Sequence, residues 1–127
     1  MQTAQIINDV LSAVRNGEGL PWVPYTADGR TLTDIVPLYQ EAGADGASAA
    51  LVRYRPGART RRHRHPGYEL IFVLDGVLHD DAGAHRAGTI EVCPPDSNHA
   101  LWSEEGCTFL VVWEQPVQVL PLLQVRQ

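Results

Sequence analysis

Between residues 34 and 113 the apolar positions come in short runs, each cut off by glycine, proline or aspartate. Runs of this kind, rich in branched and aromatic side chains, predict β-strands. They fall at Asp34–Tyr39, Ser48–Arg55, Thr60–His65, Glu69–Leu74, Val77–Asp80, Thr89–Val92, His99–Trp102 and Thr108–Trp113. One segment departs from the pattern. In Ala4–Val14, residues Ile6, Ile7, Val10, Leu11 and Val14 recur at a helical period. They predict a short amphipathic helix docked on the strands or on a partner subunit. Gly17 to Pro24 ends that helix, and Ala27-Asp28-Gly29-Arg30 reads as a turn. Many short strands with a single helix predict an all-β sandwich or barrel. No repeat, low-complexity stretch or linker interrupts the chain, so residues 1–127 read as one domain with its core at about 34–115. The tail from Glu114 to Gln127 holds Val117, Val119, Leu120, Leu122 and Leu123. Pro116 and Pro121 favour an extended path for it. Its apolar content predicts burial on the barrel or on a second copy, so a homodimer is expected.

The chemistry-bearing residues gather on these strands. Gly57 is followed after five residues by His63-Arg64-His65, after three more by Glu69, and after six more by Gly76. Five fixed identities at fixed spacing are a specific motif. Strand alternation points His63 and His65 the same way. Pro66-Gly67 reads as a turn, after which the strand starting at Glu69 returns as the second arm of a hairpin. Glu69 is then expected opposite the two histidines as a cross-strand neighbour. Asp75-Gly76 is expected to close that strand with a turn. A second pattern, Gly88, Pro94 and His99, puts a third histidine at the start of a distant strand, after the Pro94-Pro95-Asp96 turn. Three imidazoles and one carboxylate suit Fe(II), Zn, Mn, Ni or Cu(II). One divalent metal ion per chain, Fe, Zn, Mn or Ni, is therefore the expected cofactor, with His63, His65, Glu69 and His99 as ligands.

Composition narrows the partners. The formal net charge is −5, and all ten basic residues are arginine. An acidic chain without aromatic interleaving on a basic face is not expected to bind nucleic acid. Six of the ten arginines fall between Arg53 and Arg64. By alternation Arg59 and Arg61 share the face of His63 and His65, so Arg61 is a candidate clamp for an anionic substrate, with Glu69 as ligand or base. The alternative is an arginine at the barrel rim, paired with an acid. His79 and His85 flank the turn-rich Asp80–Ala84 stretch and read as exposed hairpin residues. Tyr68, Phe72 and Trp102 are candidates for the pocket wall or the core. Cys93 and Cys107 form no framework and read as small reduced fillers. No apolar stretch is long enough to span a membrane, and the N-terminus has no secretory start, so the cytoplasm is the expected compartment.

The first motif matches the first signature of the cupin superfamily, and the second resembles the second signature. Two departures stand out: Asp96 where that pattern has glycine, and Ser103 where it has asparagine. The resemblance implies a jelly-roll barrel, a double-stranded β-helix. Within the superfamily, the Leu20–Pro24 segment and the run from Gly57 to Thr108 are similar to the ChrR-like cupins. That likeness implies His63, His65, Glu69 and His99 as metal ligands. It implies a small-molecule dioxygenase, or a zinc-holding sensor like the cupin half of ChrR-type anti-sigma factors; a metal that polarises a carbonyl leaves a metal-dependent isomerase, cyclase or lyase as a further alternative. Those factors bind their partner through a separate helical domain for which this chain has no room, so direct sigma-factor inhibition is not expected.

Overall fold

The computed structural model describes residues 2–121. Nine strands build it: β1 (Val23–Pro24), β2 (Thr31–Gln40), β3 (Ser48–Arg64), β4 (Glu69–Asp80), β5 (Gly83–Arg86), β6 (Ile90–Cys93), β7 (Asn98–Ser103), β8 (Cys107–Trp113) and β9 (Gln118–Val119). A helix, α1 (Val10–Asn16), precedes them. Every pairing is antiparallel, and the pairings close a ring. β3 pairs with β8 over Ser48–Tyr54 and with β7 over Ala58–Arg64. β4 pairs with β8 over Glu69–Gly76 and touches β7 at His79. The strand pattern predicted a sandwich or barrel, and this is the jelly-roll barrel that the cupin resemblance implied; closure leaves β3 and β4 no free edge.

Two long strands replace four predicted ones. Ser48–Arg55 and Thr60–His65 fuse into β3, and Glu69–Leu74 and Val77–Asp80 fuse into β4. Asp75-Gly76 is thus no turn. Gly57 and Gly76, the outer residues of the motif, sit at positive φ (92° and 75°) where the two strands bend. A Cβ on Gly76 would stand 2.1 Å from the Gly106 carbonyl oxygen, so the close crossing of β4 and the β7–β8 loop requires glycine there. The predicted hairpin is also absent: among the described residues β3 does not pair with β4. Glu69 therefore reaches the histidines across the barrel interior rather than along a shared ladder. β5 was not foreseen, because its residues lie in a stretch rich in turn formers.

The helix starts later than its apolar period suggests. Asp9 adopts a left-handed conformation, φ 56°, and separates α1 from an irregular segment before it. Of the five apolar positions only Val14 is buried, while Ile6 and Leu11 are largely exposed. A seven-residue helix is too short to be stable by itself, so its bounds follow its contact with β4 rather than its sequence period. The tail runs extended as expected, with β9 pairing to β3 and the Leu120 amide donating to Arg62. Leu122, Leu123 and the rest of the predicted tail lie outside the described residues.

Inside, Val52, Tyr54, Ala58, Ile71, Val73 and Phe109 belong to one continuous core. Cys93 and Cys107 are free and buried, in line with their reading as fillers. Among the described residues no helix is long and apolar enough to cross a membrane.

Candidate metal centre

The barrel gathers His63, His65, Glu69 and His99 at one point. All four are buried, at 1–4 % exposure. His63 on β3 and His99 on β7 are register partners, His65 follows the end of β3, and Glu69 opens β4. One ligand atom from each lies within 4.8 Å of the others. Glu69 Oε1 stands 3.3 Å from His65 Nε2 and 3.2 Å from His99 Nε2, and Glu69 Oε2 lies 3.9 Å from His63 Nε2. Atoms bound to one ion at about 2.1 Å stand roughly 3 Å apart, so these spacings fit a common cation.

The hydrogen bonds behind the rings fix their tautomers. His63 Nδ1 lies 2.9 Å from the Arg61 carbonyl oxygen, which can only accept. His65 Nδ1 lies 2.9 Å from Ser97 Oγ, whose own proton goes to the Pro94 carbonyl oxygen at 2.6 Å. Each Nδ1 therefore carries the proton and each Nε2 keeps a free lone pair. Nε2 of His65 and of His99, with Glu69 Oε1, are buried without any hydrogen-bond partner. Each such orphan costs roughly 1–3 kcal/mol. A divalent cation at their meeting point would satisfy all three, and the donor set fits one.

Electrostatics prepare the same outcome. Burial lowers His63 to about 4, against a smaller opposing effect of Glu69, so its imidazole is neutral near pH 7. Burial alone would raise Glu69, but the polar His65 and His99 rings beside it outweigh burial and hold the carboxyl well below its usual range. The carboxylate is further held by Trp113, whose Nε1 donates to Oε2 at 2.8 Å.

His99 is backed differently. Its Nδ1 faces Asp80 Oδ2 at 3.4 Å, Glu91 Oε1 at 3.9 Å and Cys93 Sγ at 3.9 Å. Asp80 is itself held by His85 Nε2 at 2.8 Å and by the Ala82 amide at 2.8 Å. Burial and the Asp80 charge push Glu91 up to about 7. A carboxylate behind a ligand imidazole orients the ring and strengthens it as a donor. His85 was expected to be an exposed hairpin residue, yet it anchors the acid behind His99. His79, expected to be exposed as well, is half-buried against Trp102 and bonded to Glu105 at 2.9 Å.

Arg61 does not join the cluster. From Thr60 to His63 β3 advances three residues while β7 advances two, from Leu101 to His99. This bulge turns Arg61 and Arg62 outward together and defeats simple alternation. Arg61 is exposed and donates to the Leu120 carbonyl oxygen at 3.2 Å; Arg59 is exposed too. Arg62, Arg64 and Arg53 pair with Asp81, Asp96 and Asp34, the rim arrangement weighed as the alternative. The two departures from the second signature are accommodated. Asp96 adopts the left-handed φ of 72° that glycine would take, and its amide donates to the His65 carbonyl oxygen at 2.8 Å. Ser103 is buried, donating to Val77 at 2.6 Å and accepting from the Gly106 amide at 2.9 Å.

None of the three aromatics proposed for the pocket lines the inner cavity. Tyr68 is exposed, Phe72 faces outward over an apolar groove, and Trp102 stacks on His79. The inner cavity is about 20 Å³, walled in part by Tyr25, Arg30, Tyr54, His63, Glu69 and Trp113. Tyr25 and Trp113 also line a neighbouring cleft of about 410 Å³. Trp113 was legible, since it shares strand parity with the core residues Phe109 and Val111. Tyr25 and Arg30 come from an irregular segment that no periodicity marks.

Comparison with known proteins agrees with this geometry. An acetylacetone dioxygenase from Acinetobacter johnsonii superposes with a TM-score of 0.74 at 13 % identity, over 96 % of this chain and 82 % of that one. The polyketide cyclase RemF from Streptomyces resistomycificus gives 0.69 at 21 % identity, over 98 % and 89 %. The Rhodobacter sphaeroides SigE complex with the anti-sigma ChrR gives 0.60 at 21 % identity, over 89 % and 70 %. At these identities the likeness is one of fold. No curated protein matches the sequence. The ChrR cupin-like domain, however, matches residues 12–117, a span that takes in the barrel, both signatures and all four clustered residues, and the chain belongs to that family.

Proposed function

We propose that this protein is a metal-dependent enzyme of dioxygenase type acting on a small molecule, with one Fe(II)-like ion held by His63, His65, His99 and Glu69. The observation that supports it is the set of buried, unpartnered donor atoms converging beside a cavity. When bound, the ion supplies Lewis acidity and, if it is iron, redox chemistry toward dioxygen. The chain's own residues do the rest. The Arg61 carbonyl oxygen and Ser97 keep two imidazoles in the ligating tautomer, Asp80 orients the third, and Trp113 holds the Glu69 carboxylate. The apolar barrel wall of Val52, Ile71 and Leu101 keeps bulk water from the cavity. The wider cleft beyond Tyr25 and Trp113 gives the body of a small substrate room.

The experiment is oxygen uptake by iron-loaded protein against a panel of β-dicarbonyl compounds. Uptake that scales with iron content supports the reading. Turnover of a substrate under argon would instead favour a metal-dependent isomerase, cyclase or lyase.

A second reading has one specific observation in its favour. The inner cavity holds about one water molecule, as a closed zinc-binding sensor would require. Tightly held zinc with no turnover under either atmosphere would establish it.

The same proposal includes a homodimer. Leu70 and Val92, and Phe72 and Ile90, are neighbours on β4 and β6 facing outward, and Leu70, Ile90 and Val92 are 36–59 % exposed. Apolar pairs on an outer sheet face need a cover. Light scattering on the eluting peak should give twice the chain mass, and a monomer would reject the dimer.

A further inference from the structure

Arg30 is the unusual charge of this molecule. It is only 7 % exposed, yet among the described residues its hydrogen bonds come from Nη1 alone, to the Ala27 carbonyl oxygen at 2.9 Å and Asp28 Oδ2 at 3.2 Å. Nε and Nη2 make none. Neither nitrogen is among the fully buried unpartnered atoms, so both keep contact with solvent and are free to take a ligand. Asp28 compensates weakly, since its side chain is 47 % exposed and therefore screened. The guanidinium lies over the Tyr25 ring at 4.5 Å, and both residues line the cavity that His63 and Glu69 line.

The charge balance of that cavity points to a ligand class. A divalent ion on three neutral imidazoles and one carboxylate keeps a net charge of about +1. Arg30 adds another positive charge. Burial holds Tyr25 and Tyr54 above the ordinary phenol range, so both stay neutral, and the Tyr54 hydroxyl is taken up by Thr60. The remaining side chains around the space are uncharged. A loaded centre is thus electropositive in a setting that favours an incoming anion.

We propose that Arg30 is the anion-holding residue of this centre and that its ligand is a small organic acid, the carboxylate lying between the metal and the guanidinium. The proposal rests on the cation binding argued above. The inner space, about 20 Å³, takes the carboxylate oxygens only in place of its water, while the 410 Å³ cleft that shares Tyr25 and Trp113 takes the remainder. Planar, bidentate recognition of a carboxylate is the contact for which the guanidinium fork is built. Arg30, brought in by the irregular segment before β2, thus takes the role that alternation gave to Arg61.

Cobalt(II)-loaded protein provides the test, because its visible spectrum reports on ligands entering the metal shell. Formate is the anionic probe and imidazole, at pH 8, the neutral one. Wild type should bind formate saturably. Arg30→Met should weaken formate about tenfold to a hundredfold, the effect of losing one charged hydrogen-bond partner, and leave imidazole within about twofold. Equal formate affinity in the two proteins, or a wild type that takes imidazole but no formate, overturns the proposal. Arg30→Lys covers the case in which Arg30→Met does not fold: it keeps the charge but loses the fork, and should weaken formate several-fold, whereas an unchanged affinity again overturns it. Failure of the wild type to take up cobalt is a separate result, seen before any formate is added, and contradicts the metal centre itself.

Discussion

The three imidazoles look alike from the front and differ from behind. His63 and His65 lean on neutral oxygens, a carbonyl and a hydroxyl, whereas His99 leans on the Asp80 and Glu91 carboxyls with His85 beyond them. The cavity side of the cluster has the opposite character, with Arg30, Tyr25, Tyr54 and Trp113 around it. The centre therefore sits on a gradient from an acidic rear to a basic front. On the proposed reading the rear sets how strongly His99 donates to the metal, and the front sets what enters.

Removing a ligand should break this arrangement most severely. His99→Ala or His63→Ala is expected to abolish stoichiometric metal binding, read by elemental mass spectrometry after dialysis. Acid should achieve the same end by protonation. His63 is lowered to about 4 chiefly by burial, so protons compete for it only near that pH. Burial also lowers His99, but Glu69 and the acids behind it outweigh burial and raise it, so His99 takes its proton before His63 as pH falls. Metal retention, followed by dialysis across a pH series, should hold at neutral pH and be gone near pH 4; retention there would contradict the account. Asp80→Asn probes the rear directly. It should weaken metal affinity about tenfold to a hundredfold in competition with a chelator, while Ser97→Ala, behind His65, costs less. Equal effects would erase the distinction between the two kinds of backing. Trp113→Phe removes one donor from Glu69 and should cost a few-fold in affinity. Arg61→Ala should change neither metal content nor formate binding, because Arg61 faces solvent.

The strands and the four-residue cluster were readable because they rest on short-range rules, alternation, turn residues and a fixed motif, whereas the choice of a jelly-roll barrel over a sandwich came from the cupin resemblance. What failed were statements requiring the third dimension. Period-two alternation assigned Arg61 to the interior, and one extra residue in β3 reversed that. A two-residue turn at Pro66-Gly67 implied a hairpin, but among the described residues β3 and β4 do not pair, and β7 and β8 lie between them. The acid behind His99 is assembled from Asp80, His85 and Glu91 on three strands, and no local pattern links them. Arg30 left no trace at all, since its position depends on how an irregular segment folds over the barrel.

The most direct measurement is the metal content of protein purified without a chelating step, wild type beside His99→Ala. The account predicts close to one divalent ion per wild-type chain and essentially none in the variant. A wild type that holds no metal under any loading condition, or a variant that keeps its full complement, would contradict it.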